Sequence, residues 1–137
     1  VEQSTYLSVL ARAAPEKVKA FVEDLIPELG AIDVLENRTG LVMLPMTEPV
    51  HGAAFYVGEV LVAEARVRVG GSEGYAACLG RDLEQALAIA LLDAALVGGF
   101  KRFEILGFVD ELAADQLQED DQLLKLVEAT RVEMETF

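Results

Sequence analysis

Between Asp82 and Gly98 the run LEQALAIALLDAAL is apolar on every helical face except at Asp93. A helix apolar all round has to be covered on most of its sides, so the rest of the chain must wrap it. Its limits are written locally. Asp82 is a good N-cap with Gln85 three residues on, a capping-box spacing, and Gly98-Gly99 stops the helix. The cover on one side is legible upstream. From Leu61 to Val69, Leu61, Ala63, Ala65, Val67 and Val69 alternate with Val62, Glu64, Arg66 and Arg68. That alternation is the pattern of a half-buried strand. Gly70-Gly71-Ser72-Glu73-Gly74 turns the chain, and Tyr75–Leu79 returns as the antiparallel partner.

The flanks complete the plan. Ser4 or Thr5 is expected to cap a first helix to about Ala13, with Tyr6, Val9, Leu10 and Ala13 at helical spacing. Pro15 suits the first turn of a second helix, which Pro27 and Gly30 should end. Strand pieces are expected at Ala31–Glu36 and, after Arg38-Thr39-Gly40, at Leu41–Met46, followed by a loop over Thr47–Gly52. Glu59 falls on the apolar phase of its strand, which predicts a bulge or bend near Gly58. Phe100–Val109 reads as a connection with some strand content. A last helix over Glu111–Arg131 should bury Leu112, Leu117, Leu123, Leu124 and Val127. The fold class is α+β: N-terminal helices, antiparallel strands with a long hairpin, a buried apolar helix and a C-terminal helix. At 137 residues this is one domain, residues 1–137.

Composition sets two opposing limits. The chain carries 24 acids against 11 bases, a formal charge of −13. Yet the apolar share, counting glycine and leaving out tyrosine, is roughly 59%, against about 45–50% for ordinary domains. An Ala- and Val-rich core is one account of the excess; apolar surface that meets another subunit is the other. The charge repels nucleic acid, anionic lipid and nucleotide triphosphates at long range. No basic run with interleaved aromatics and no Gly-x-Gly-x-x-Gly is present. A lone Cys78 suits a reducing compartment. The first residues lack the charged-apolar-small pattern of a leader, so none is expected, and Ala86–Phe100 is too short and too interrupted to span a membrane. A cytoplasmic protein is expected.

Few residues offer chemistry. Gly80-Arg81-Asp82 joins a strand to a helix start, where free amides and a guanidinium favour an anion. Asp82 already offers those amides a negative oxygen, so a capped turn is the stronger reading, with Arg81 left to meet a carboxylate, an anion or a partner. Asp93 is costly to bury without a partner; it should reach a rim or an arginine such as Arg66 or Arg68. His51, the one histidine, reads as a loop residue, since zinc usually takes three or four ligands. Cys78 reads as a buried thiol, and Glu119-Asp120-Asp121 as a solvated face. No Ser-His-Asp or Cys-His set can be assembled. No catalytic residue, metal site or cofactor is therefore assigned to this chain; Arg81, Arg66 and Arg68 are the candidate anion or partner contacts.

TGLVMLPM (Thr39–Met46), FYVGEVLVAEARVRV (Phe55–Val69), EGYAACLGRD (Glu73–Asp82) and ALAIALLDAAL (Ala86–Leu96) follow one another in an order that resembles the PhnG subunit family of the bacterial carbon–phosphorus lyase system. YLSVLARA (Tyr6–Ala13) is similar to that family's Trp-Met-Ser-Val-Leu-Ala opening, with Tyr6 where Trp is usual, and ATRV (Ala129–Val132) to its C-terminal Arg-Val segment. Glu133-Met134-Glu135 and Phe137 replace a more aromatic continuation. The resemblance implies organophosphonate catabolism with PhnI-like, PhnH-like, PhnJ-like and PhnL-like partners. There an alkylphosphonate displaces adenine from ATP to give ribose 1-phosphonate 5-triphosphate, the ribose 1-methylphosphonate 5-triphosphate synthase step. It further implies that this chemistry sits chiefly in the PhnI-like subunit, with no catalytic residue to carry over here. Arginines lent to a shared triphosphate or phosphonate site, and a freestanding nucleotide or phosphonate binder, are the alternatives. Self-association of the isolated chain is left open.

Overall fold

The computed structural model describes residues 2–135, with side chains described to Arg131. The side chains of Val132 and of Glu133-Met134-Glu135, and Phe137, lie outside the described residues. The order is α1 (Gln3–Arg12), α2 (Pro15–Leu29), β1 (Ile32–Thr47), β2 (Ala54–Val69), β3 (Ser72–Leu79), α3 (Leu83–Val97) and α4 (Arg102–Glu135). The sheet is antiparallel, β1-β2-β3. The fold is thus α+β, with two helices before the sheet and two after it.

The core lies between the sheet and α3. Ala63, Ala65, Val67 and Val69 of β2, with Ala76 and Cys78 of β3, are buried under Ala86, Ile89, Ala90 and Leu92 of α3. Small side chains let the layers approach closely. A Cβ on Gly74 would stand 2.1 Å from the Ala90 carbonyl oxygen and 2.4 Å from the Ala94 nitrogen. Only glycine fits there. Leu10 of α1, Val18 and Val22 of α2, and Ile105 and Val109 of α4 close the remaining sides of α3, and Phe21 stacks on Phe108 with ring centroids 4.2 Å apart.

Several boundaries differ from the sequence reading. Helix α1 starts at Gln3 with Glu2 as its cap residue and no side-chain cap; Ser8 Oγ donates to the Ser4 carbonyl within the helix instead. Helix α2 continues through Pro27 and ends at Gly30, φ 76°. Pro27 lies in the exposed last turn, where loss of one N–H bond leaves a carbonyl that water can reach. The two expected strand pieces are one strand: Gly40 is extended opposite Val62, and the unbroken β2 supplies partners throughout. The hairpin turn is only Gly70-Gly71, φ 55° and 89°, a two-residue type I′ geometry. The irregularity foreseen near Gly58 is present: Leu44 pairs with Gly58 and Pro45 with Tyr56, so Val57 is the extra residue.

The C-terminal region departs most. Phe100–Val109 contributes no strand; α4 begins at Arg102, because Ile105, Val109 and Leu112 share a helical face and are the positions buried. Of the five positions expected to be core, only Leu112 is. Leu117, Leu123, Leu124 and Val127 are 56–71% exposed, their face of α4 left uncovered by the described residues.

Candidate functional site

Asp82 caps α3 by accepting from the Gln85 N–H at 3.0 Å. Gln85's amide does not return to complete a capping box; it donates to the Ala11 carbonyl at 3.4 Å and ties α1 to α3. The second Asp82 oxygen takes Lys19 Nζ at 2.9 Å. Lys19, and then the Gln85 N–H, hold the Asp82 carboxyl below its usual range. The helix start is thus occupied by the chain's own carboxylate. Arg81 is exposed beside it, and among the described residues no ion pair or hydrogen bond involves its side chain.

The three candidate arginines do not gather. Leu79, just before Gly80-Arg81, pairs with Val62, whereas Arg66 pairs with Tyr75 and Arg68 with Glu73. At about 3.3 Å per residue, Arg66 and Arg68 lie roughly 13 and 20 Å farther along the strand from Val62. Both occupy the sheet face opposite α3, within a ladder of cross-strand charges. Arg38 Nε donates to Glu64 Oε1 at 2.6 Å, Tyr75 Oη donates to Glu64 Oε2 at 2.8 Å, and Arg68 stands 4.0 Å from Glu73. Arg38, then Tyr75, lowers the Glu64 pKa; the same bond raises that of Tyr75.

Asp93 meets neither a rim nor an arginine. It is 1% exposed and accepts from Gln3 Nε2 at 3.0 and 3.2 Å, from Tyr6 Oη and from the Tyr75 N–H at 2.9 Å. Arg66 and Arg68 cannot reach it, because strand alternation turns them to the other face. Burial first, then the Asp93 contact, pushes the Tyr6 pKa well above the usual tyrosine range, so its hydroxyl remains a donor at neutral pH. Asp93 therefore joins α1, β3 and α3 as a structural knot. The sequence held no local signal for Gln3 and Tyr6, 90 and 87 residues away.

Cys78 is buried, and that burial raises its pKa, which suppresses the thiolate. His51 is exposed in the loop between β1 and β2, whose shape is set by Glu48 accepting from the Val50 and His51 N–H groups at 2.8 and 2.6 Å. Asp120 of the acidic run pairs with Arg12 at 2.6 Å. Among the described residues no three His, Cys, Asp or Glu side chains gather where they could hold a metal ion. No described helix is long and apolar enough to cross a membrane.

Two concavities near the candidate residues' elements are surface depressions. One of about 460 Å³ is lined by Ser8, Arg12, Val62 and Cys78 among others, and one of about 520 Å³ by Arg102, Phe103, Leu106, Gly107 and Asp110. Neither contains Arg66, Arg68, Arg81 or His51. The largest uncovered apolar feature is the β1–β2 ribbon. Every residue from Leu41 to Thr47 and from Ala54 to Gly58 is exposed, since β3 pairs with β2 only over Val62–Val69.

The fold is thus an α+β domain with a close-packed small-residue core and a ribbon of uncovered apolar strands. Over residues 2–137 the chain matches the family described as phosphonate metabolism protein PhnG, and it belongs to that family. It is also similar to a putative C-P lyase subunit protein, HtxH, of Stutzerimonas stutzeri: 31% identical over 115 residues, covering 74% of this chain. The chain spans 31% of the length of that relative.

Proposed function

We propose that this chain is a non-catalytic subunit of the carbon–phosphorus lyase core complex in organophosphonate catabolism. It supports the step in which a phosphonate oxygen displaces adenine at the ribose C1′ of ATP, giving a ribose 1-phosphonate 5-triphosphate. The reaction itself belongs to a PhnI-like partner, with PhnH-like, PhnJ-like and PhnL-like subunits in the same cytoplasmic system. The observation that carries this reading is the ribbon: uncovered apolar strands on a chain whose candidate arginines stand apart. Family membership and the C-P lyase description of the Stutzerimonas relative support it. The test is adenine release from ATP and methylphosphonate by the PhnI-like, PhnH-like and PhnL-like subunits, with and without this chain. Release should require its presence. Full activity in its absence would contradict the proposal.

A second reading is favoured by Arg81 alone, an exposed guanidinium with no carboxylate partner among the described residues. In it, Arg81 contacts the triphosphate or phosphonate in a site shared between subunits. Arg81→Ala should then lower turnover at least tenfold while the complex still assembles. Loss of assembly would instead make Arg81 a docking residue. Calorimetry of the isolated chain with ATP or methylphosphonate should give no heat; a clear isotherm would favour a freestanding binder.

A further inference from the structure

The ribbon has a property that a solvent-facing hairpin does not need. Where the sheet packs on α3, its two faces differ: Ala63, Ala65 and Val67 are buried on one side, and Glu64, Arg66 and Arg68 lie on the other. Beyond that region the difference disappears. Leu41 and Met43 continue the phase of the residues over α3, because Thr39 pairs with Ala63 and Leu41 with Leu61. Val42 and Leu44 take the opposite phase. All four are 46–63% exposed; Phe55 is 46% and Tyr56 65% exposed. Neither Thr39–Thr47 nor Ala53–Gly58 contains a single Asp, Glu, Lys or Arg. Strands apolar on both faces are the sequence signature of strands covered on both faces. Here they also present open backbone edges, β1 along its outer side and β2 from Ala54 to Val60, a state that natural proteins ordinarily protect.

We infer that this ribbon is an insertion arm, seated in a cleft of a different, basic polypeptide of the complex that encloses both of its faces. The inference rests on the proposed function and specifies its docking element. Three observations choose this occupant over a second copy. Each copy carries −13, so pairing two copies opposes like charge, whereas a basic partner is attracted. Of the acids around the uncharged stretches, Glu59 is exposed and can meet a basic rim, whereas Glu36 stands 3.9 Å from Arg38 and Glu48 shapes the loop. The relative from Stutzerimonas carries its matching region within a chain of which that region is under a third, so a domain of this kind there adjoins a much larger span of polypeptide.

The experiment co-expresses the chain with the PhnI-like subunit and reads complex formation by native mass and by titration. The double variant Val42→Asp, Phe55→Asp places a charge on each strand of the arm, outside the core. Its thermal midpoint should stay within about 2 °C of the parent, while its affinity for the partner should fall at least 100-fold. Parent affinity should weaken as salt rises. If the parent binds and the double variant binds within threefold of it, the arm is not the docking element, although the subunit role stands. A parent that forms no complex with this partner overturns both. A homodimer of the isolated chain that the double variant dissolves would assign the arm to self-association and overturn the inference.

Discussion

Removing the Tyr6 hydroxyl takes one donor from Asp93, which is only 1% exposed. Hydrogen bonds to charged groups contribute about 1.5–3 kcal/mol, so Tyr6→Phe should lower the urea unfolding free energy by that amount. A change below about 0.5 kcal/mol would show that Asp93 does not depend on this contact. Asp82 gives a pH-dependent counterpart. In the unfolded chain its carboxyl titrates near pH 4, and in the fold Lys19 and the Gln85 N–H hold it lower. Its ionised form thus stabilises the fold above about pH 4, and that contribution fades as the pH falls through the lower native value. Asp82→Asn retains a capping oxygen but loses the charge. The stability gap between parent and variant should be constant from about pH 5 to 7 and narrow progressively as the pH falls below about 4. A gap that does not narrow at acid pH would contradict the assignment. These two residues were unequally legible. Asp82 announces itself by position, next to a helix start. Asp93 is visible in sequence only as an anomaly, because its partners arrive by tertiary packing from α1.

Among the elements, the approach of β3 to α3 depends on one missing side chain. Gly74→Ala would drive a Cβ into the Ala90 carbonyl, and backbone there cannot yield without parting helix from sheet. The variant should lose several kcal/mol, of the order of an overpacked core or more, or fail to fold. Gly40→Ala, in β1 with open space around it, should stay within about 0.5 kcal/mol of the parent. Equal effects at the two glycines would refute the close-packed account. Helix α3 could be read from the sequence because its cap, its stop and its uniform apolarity all agree. The strand β1 could not be read as one element: Arg38-Thr39-Gly40 looks locally like a turn, and only pairing with the continuous β2 shows otherwise. In α4 the misreading had another source. Leu117, Leu123, Leu124 and Val127 have helical spacing, which identifies a helix face but not whether this chain covers it.

For the molecule as a whole, the apolar excess divides between a core built from Ala, Val and Leu and a ribbon this chain leaves bare. The core meets the first account of the composition; the ribbon is the surface for which the second, contact with another subunit, is proposed. The candidate arginines were legible as residues but not as a group, because strand register, not sequence distance, separates Arg81 from Arg66 and Arg68. The central claim is that the chain acts by docking through its ribbon. Hydrogen–deuterium exchange, comparing the isolated chain with its complex with the PhnI-like subunit, addresses that claim most directly. The amides of residues 39–47 and 53–60 that point away from the partner strand should exchange quickly in the free chain and become strongly protected in the complex, while those of α3 stay protected in both. Ribbon amides that exchange equally fast in free and bound chain would contradict it.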